Sequence, residues 1–228
     1  MGLKTILATL IATVSLNLTG YAQIGENLGN ERCTDIDIVV NRAENTLSLQ
    51  CEGEEVLESK IITGKRNWRT PLGEYTISRI KVNPRWTIPK RIEEEMSSNK
   101  PETWNYRVEH EIYKLDNSGT YYQKGSPYNP LGQLAMPLDQ LPGILIHDTN
   151  NKISFEREAN RRYLSHGCIR TEKVRDIVYY LMDNIEYKPE ISKTYLNAIL
   201  KGNGRRYRSG TIKLAEPIDV RIIHEHNN

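Results

Sequence analysis

The sequence predicts a mainly β domain with a few helices, of the α+β class. Apolar and polar residues alternate over several short runs that are separated by polar turns. A single long stretch has helical periodicity instead. The chain has 228 residues, of which 38% are hydrophobic, and we find no internal repeat. One folded domain with its own core is therefore expected.

The first predicted strands form a β-hairpin. Residues Ile36–Val40 alternate, Asn41–Asn45 make a polar turn, and Thr46–Gln50 alternate again. Further strands are predicted at Val56–Thr63 and Glu74–Ser78. Later in the chain, a buried strand is expected at Gly143–His147. One or two closing strands are expected at Ile212–Leu214 and Ile218–Ile223.

Two helices are predicted in the second half. Residues Phe155–Tyr163 are expected to be helical, and Thr171 to cap the helix that follows. The second helix has apolar residues with the spacing of a helix packed on a sheet: Val174, Ile177, Val178, Leu181 and Met182.

Residues 84–135 have the composition of an insertion, with five prolines and many aromatic residues. Arg91–Met96 is expected to form one or two helical turns. The aromatic residues are Trp86, Trp104, Tyr106, Tyr113, Tyr121, Tyr122 and Tyr128. They either pack a loop-rich subdomain or line a lid over a groove for an extended ligand.

The N-terminus is typical of a secretory signal peptide. Lys4 is followed by the apolar or small residues Thr5–Leu18, and Gly20 and Ala22 fit a cut after residue 22. The prediction is a signal peptide over 1–22, a leader over 23–34 and one domain over 35–225, exported to the periplasm or cell envelope. A buried N-terminal helix is the alternative. No stable membrane span is expected after removal of the signal peptide.

The charge of the chain does not favour nucleic acid as a partner. The net charge is +2, it falls to +1 once Lys4 is removed, and no basic run stands out.

Export changes the interpretation of the three cysteines. In an oxidising compartment two cysteines tend to pair and an odd one is left for chemistry. Cys33 and Cys51 flank the predicted hairpin, whereas Cys168 is remote from both. We therefore expect a Cys33–Cys51 disulfide and a free Cys168.

The segment Ser165-His166-Gly167-Cys168-Ile169-Arg170 carries the chemistry. A thiol attacks as its thiolate, so it needs a base and a positive potential nearby. If 166–168 is extended, His166, Cys168 and Arg170 point to the same side. The helix after Thr171 would add its dipole, and Gly167 leaves backbone N–H groups accessible to an oxyanion.

A second histidine, His147, ends the predicted buried strand. Alone it would more often be structural, but next to the Cys168 segment it is the candidate base. A zinc site of His147, His166 and Cys168 is the alternative, although the usual metal-binding spacing is missing. A wall-binding module without catalysis is another, and it would not need Cys168.

Together these residues resemble the L,D-transpeptidase catalytic domain, or YkuD domain. The family signature is a His, a gap of fourteen to seventeen residues and then Ser/Thr-His-Gly-Cys, and here the gap from Asp148 to Leu164 is at its upper limit. The subgroup with a lid insertion is indicated by three segments: Asn83–Pro89, Asn129–Gly132 and Leu145–Thr149. Many members have Asn at the position of Arg170 and Gly or Ser at that of Asp148.

The resemblance implies a sandwich-like or barrel-like β domain with a lid insertion, and a peptidoglycan stem peptide as substrate. Cys168 would be the nucleophile and His147 the base, whose imidazolium would stabilise the thiolate. His166 would shape the pocket. The N–H groups of Gly167 and Cys168 would hold the oxyanion. The substrate contacts would be Arg170, Trp86 and Ser165, although Arg170 could instead pair with Glu172.

The implied reaction forms 3→3 crosslinks with release of D-Ala and needs no cofactor or metal. Carbapenem-type inhibitors are expected to acylate the thiol. An L,D-carboxypeptidase or a crosslink-cleaving hydrolase would use the same residues with water as acceptor.

The first prediction concerns export and cysteine pairing. We expect secreted protein to begin near Gln23 and to contain one free thiol, that of Cys168, because the other two cysteines pair in an oxidising compartment. N-terminal sequencing and thiol counting under denaturing, non-reducing conditions measure both. Three free thiols would contradict the disulfide without touching the catalytic assignment.

Overall fold

A computed structural model describes residues 32–99, 112–115, 119–122, 124, 126–202 and 208–226. The predicted signal peptide, residues 23–31 of the leader, Trp104 and Tyr106 lie outside this part of the chain. None of the helices in the described ranges is long and apolar enough to cross a membrane.

The described residues contain mostly strands and a few helices, which confirms the predicted class. The strands are β1 Ile36–Asn41, β2 Thr46–Cys51, β3 Glu54–Gly64, β4 Gly73–Val82, β5 Trp86–Thr87, β6 Ile112–Leu115, β7 Gly119–Tyr122, β8 Leu134–Pro137, β9 Leu145–His147, β10 Tyr163–Ser165, β11 Ile169–Thr171, β12 Tyr187–Pro189 and β13 Gly210–Ile223. The helices are α1 Lys90–Asn99, α2 Val174–Asn184 and α3 Lys193–Leu200.

The main sheet closes on itself. Its strands run in the order β1-β2-β3-β11-β9-β8-β4-β13-β12, β10 pairs with β3, and β1 also pairs with β13 in parallel. The predicted hairpin is β1 and β2, paired from Ile36 with Cys51 to Asn41 with Thr46. Because the alternating apolar residues of these strands are buried on one face, the core lies inside the barrel-like sheet.

The prediction of a helix over Phe155–Tyr163 is wrong. The segment forms two 3-10 turns, Ile153–Glu156 and Ala159–Arg161, and then enters β10. The Ala159 carbonyl accepts a hydrogen bond from the Asn45 side chain at 2.9 Å, and the Arg162 carbonyl accepts the Thr63 N–H at 3.1 Å. The Ala159 carbonyl, which an α-helix would pair with the Tyr163 N–H, is thus bound by a side chain of the turn before β2.

The predicted cap of α2 is also wrong. Thr171 lies in β11, and its hydroxyl is 2.8 Å from that of Ser59 in β3. The N-cap is Lys173, whose own side chain makes no cap; its N–H donates to Ser59 Oγ at 3.0 Å. A residue of the neighbouring strand therefore takes the place of the predicted cap.

The predicted insertion contains a sheet separate from the main one. Strands β5, β7 and β6 form this small sheet next to α1, and the main sheet resumes with β8 at Leu134. Trp86 stacks on Tyr122 with the ring centroids 5.6 Å apart. Ile88, Ile92 and Tyr122 form an apolar cluster on which Trp86 and Trp68 pack.

Two further features concern the ends of the domain. A disulfide joins Cys33 to Cys51, with the Cα atoms 5.9 Å apart. The closing strand β13 is continuous, with a register shift between Lys213 and Ile218 where the prediction had a break.

Candidate active site

The parallel pairing of β9 with β11 brings together two segments that are remote in sequence. Ile169 pairs with Ile146 and Arg170 with His147. His147 ends β9, and Cys168 immediately precedes β11. The two candidate catalytic side chains therefore come from the ends of neighbouring strands.

The backbone from His166 to Cys168 is not extended, contrary to the prediction. It forms a bend, in which Gly167 has a φ of 107°. This positive φ favours glycine, and a Cβ atom here would also force the end of the Ile144 side chain, 2.8 Å away, to shift. The bend nevertheless turns His166 and Cys168 toward one cavity.

Ser165 stabilises this bend from within. The buried Ser165 hydroxyl donates to the Cys168 carbonyl and accepts the Gly167 N–H at 3.1 Å. Thr70 Oγ1 donates to the Gly167 carbonyl at 2.8 Å. The Gly167 N–H, predicted to bind an oxyanion, is thus already engaged, and the Ser165 hydroxyl is bound to the loop instead of being directed at a substrate.

A cavity of about 380 Å³ contains the predicted site residues. Its walls also include residues of the predicted insertion and of the turn before β9. The predicted residues that line it are Trp86, His147, Ser165, His166, Gly167, Cys168 and Arg170.

His147 is buried, and the Asp148 carbonyl contacts its Nδ1. Because a carbonyl only accepts, Nδ1 carries the proton and Nε2 is left as the acceptor. Burial, reinforced by the Arg170 charge, lowers the pKa of His147 to about 4. The imidazole is therefore neutral at neutral pH, which differs from the expectation that an imidazolium stabilises the thiolate.

The Asp148 carboxylate is bound by groups other than the imidazole. It is 2.7 Å from Lys152 Nζ and 3.8 Å from the Arg175 guanidinium, and it accepts the N–H groups of Thr149 and Gln133. These contacts hold the turn after β9 so that the Asp148 carbonyl remains next to His147. Asp148 thus acts on the ring first through its backbone carbonyl and then through the charge of its carboxylate, and both raise the pKa of His147.

The Cys168 thiol donates to the Gly143 carbonyl at 3.5 Å. Burial raises the pKa of Cys168, while a backbone hydrogen bond from Leu145 and the charge of Arg170 oppose this increase. Arg170 is the cation whose charge lowers the thiol pKa. Its Nε is buried without a hydrogen-bond partner, and within the described ranges Arg170 forms no ion pair with Glu172 or another carboxylate.

His166 contacts the insertion. Its Nε2 is 3.1 Å from Glu95 Oε2 in α1, and Glu95 also pairs with Lys65. The edge of the His166 ring contacts Trp68, with centroids 5.1 Å apart. Burial first, and then Lys65, lower the pKa of His166. No local sequence signal identifies Glu95 or Trp68, because both contacts join segments far apart in the chain.

The geometry does not form the alternative zinc site. Across the residues that the structure describes, no three His, Cys, Asp or Glu side chains are grouped to hold a metal ion.

Comparisons with known proteins give a consistent result. Residues 35–191 match the family described as the L,D-transpeptidase catalytic domain, YkuD. A Haemophilus influenzae protein, provisionally named L,D-transpeptidase, is 28% identical over 200 residues, which are 79% of this chain and 39% of the relative. The chain thus spans about two fifths of that relative's length.

Solved structures show a weaker similarity. An L,D-transpeptidase from Mycobacterium smegmatis has a TM-score of 0.43 and 18% identity, covering 82% of this chain and 58% of its own. L,D-transpeptidase 3 from Mycobacterium tuberculosis, in complex with a faropenem-derived adduct, has a TM-score of 0.43 and 13% identity, covering 83% and 60%. These two similarities support no conclusion about function.

The second prediction separates the charge near the thiol from the base. Arg170→Gln should raise the pH midpoint of Cys168 alkylation by iodoacetamide, because the guanidinium lowers the thiol pKa. His147→Ala should not raise it, since the imidazole is neutral. Arg170→Lys, which keeps the charge, and His166→Ala are the controls. A midpoint raised by His147→Ala and unchanged in Arg170→Gln would instead indicate a thiolate–imidazolium pair.

Proposed function

The chain belongs to the YkuD family of L,D-transpeptidase catalytic domains, and from this premise we propose that it forms 3→3 crosslinks between peptidoglycan stem peptides. The observation that carries the proposal is the contact between His147 Nδ1 and the Asp148 carbonyl. With Nδ1 bound to the Asp148 carbonyl, Nε2 is the basic nitrogen, and His147 and Cys168 line the same cavity.

The first half-reaction acylates Cys168. As Sγ forms a bond to the carbonyl carbon of the third stem residue, His147 Nε2 accepts the thiol proton. The Cys168 N–H is the predicted oxyanion donor that remains, since the Gly167 N–H is bound to Ser165. Collapse of the tetrahedral intermediate breaks the peptide bond, and D-Ala leaves with the proton from His147.

The second half-reaction regenerates the thiol. The side-chain amine of the third residue of another stem attacks the thioester carbonyl and gives a proton to His147. The C–S bond breaks, the sulfur takes a proton back, and a new amide joins the two stems. With a neutral imidazole before each half-reaction, His147 can serve as acceptor in both.

Four residues have supporting roles in this proposal. Arg170 stabilises the thiolate and can bind a substrate carboxylate, because its guanidinium has no ion-pair partner in the described part of the chain. Trp86 forms a flat wall of the cavity, and the insertion acts as a lid. His166 shapes the pocket through Glu95 and Trp68. Ser165 maintains the bend.

We place this reaction in the periplasm or cell envelope, where peptidoglycan lies. The Cys33–Cys51 disulfide supports an oxidising compartment. Together with the predicted signal peptide, it fits an exported protein.

The third prediction tests the reaction itself. Incubation with a disaccharide tetrapeptide should give a crosslinked dimer that has lost one D-Ala, detected by mass spectrometry. Cys168→Ala should form no acyl-enzyme, because the nucleophile is absent. His147→Ala should stay folded and slow acylation by about 10²–10⁴-fold. A tripeptide as the only product would replace the proposal by the hydrolytic alternative.

The fourth prediction uses inhibitors to identify the nucleophile. A carbapenem should add its mass to the intact wild-type protein and leave Cys168→Ala unmodified, whereas penicillins should react poorly. The reason is that acylation requires the Cys168 thiolate. An adduct that persists in Cys168→Ala would assign the nucleophile to another residue.

A further inference from the structure

A second cavity, of about 360 Å³, lies next to the candidate active site and has a different character. Three of the six residues that line it are arginines. The residues that line it are Arg42, Gly64, Arg66, Arg69, Tyr163 and His224. We refer to it as the arginine cavity.

The three guanidinium groups of the arginine cavity have no carboxylate to neutralise them. None of Arg42, Arg66 and Arg69 forms an ion pair within the ranges that the structure describes. Arg42 is half-buried, and its pKa is lowered by burial and by the charge of Arg69. Guanidinium groups that line one cavity repel one another, and an anion bound between them offsets this repulsion.

The arginine cavity and the catalytic cavity share one lining residue and are linked by hydrogen bonds through Thr70. Arg69 lines both cavities. The Arg42 guanidinium donates to the Thr70 carbonyl, and the Thr70 hydroxyl donates to the carbonyl of Gly167 at 2.8 Å. Because Arg69 lines both cavities, a ligand in the catalytic cavity can extend toward the arginine cavity. Thr70, in the segment between the cavities, also supports the Cys168 loop.

We propose that the arginine cavity binds a carboxylate of the stem peptide, other than that of the departing D-Ala, while the reacting carbonyl lies at Cys168. The proposal rests on the proposed function, which supplies a peptide with several carboxylates. Guanidinium groups bind carboxylates in a bidentate manner. A phosphate-bearing polymer would satisfy the same charges, but the shared wall at Arg69 favours a ligand that also occupies the catalytic cavity.

Binding is measured by calorimetry in the Cys168→Ala background, so that no turnover is needed. The probes are a tetrapeptide stem with free carboxylates and the same peptide with every carboxylate except the C-terminal one amidated. Arg66→Gln should weaken binding of the free peptide by about tenfold, the effect of one charge-assisted contact. It should leave binding of the amidated peptide unchanged, because that peptide lacks the interacting group.

Arg66 suits this test because it is exposed and lines the arginine cavity but not the catalytic one. The matched control is Arg157→Gln, which removes an exposed arginine that lines neither cavity. Urea unfolding of both variants should match the parent protein.

Equal weakening for both peptides, or no weakening for either, would overturn the proposal. So would a glycerol phosphate oligomer that binds through Arg66 when the free peptide does not. The outcome is separate from that of the proposed function. A chain that binds the free peptide through Arg66 but forms no crosslinked dimer would retain the binding site and lose the transpeptidase assignment. A chain that forms the dimer but binds the free peptide without Arg66 would retain the transpeptidase assignment and lose the binding site.

Discussion

The pairing of β9 with β11 is the constraint on which the candidate site depends. A parallel pair needs a long crossover, and here residues 148–168 supply it through two 3-10 turns and β10. β11 is also held on its other side by β3. His147 and Cys168 are therefore attached to the closed main sheet, and their relative position changes only if the sheet does.

The electrostatics of the cavity follow from burial. Desolvation makes the charged form of His147 unfavourable and also opposes the thiolate. The buried Arg170 guanidinium acts on both groups in the direction that keeps the imidazole neutral and helps the sulfur to ionise. A neutral imidazole and a neutral thiol place less charge in the desolvated cavity before the attack than a preformed thiolate–imidazolium pair would. The backbone carbonyl of Asp148 completes the arrangement by setting the tautomer.

Two segments around the cavity link chemistry to substrate access. The first is α1 of the insertion, which contacts the catalytic loop through Glu95 and His166 and packs near Trp68. The second is the turn from Gly64 to Thr70, where a Cβ at Gly64 would lie 1.9 Å from the Trp68 carbonyl. This tight turn holds Thr70 against the Gly167 carbonyl and separates the two cavities. The same few residues thus shape the loop of Cys168, its contact with the insertion and the arginine cavity.

Local patterns in the sequence predicted the β1–β2 hairpin, the strands β3, β4, β9 and β13 and the apolar face of α2, because alternation and helical spacing act over few residues. The short motif around Cys168 likewise singled out Cys168 and His147 as the candidate nucleophile and base. Local patterns failed where long-range contacts decide. The segment after Phe155 is not an α-helix because Asn45 and Thr63 bind its backbone. Only the tertiary structure turned Ser165 into a support of the loop, engaged the Gly167 N–H and placed Glu95 next to His166. It also left Arg170 without a carboxylate ion-pair partner in the described part of the chain. The burial of a side chain and its ion pairs depend on which distant segments the closed sheet brings together.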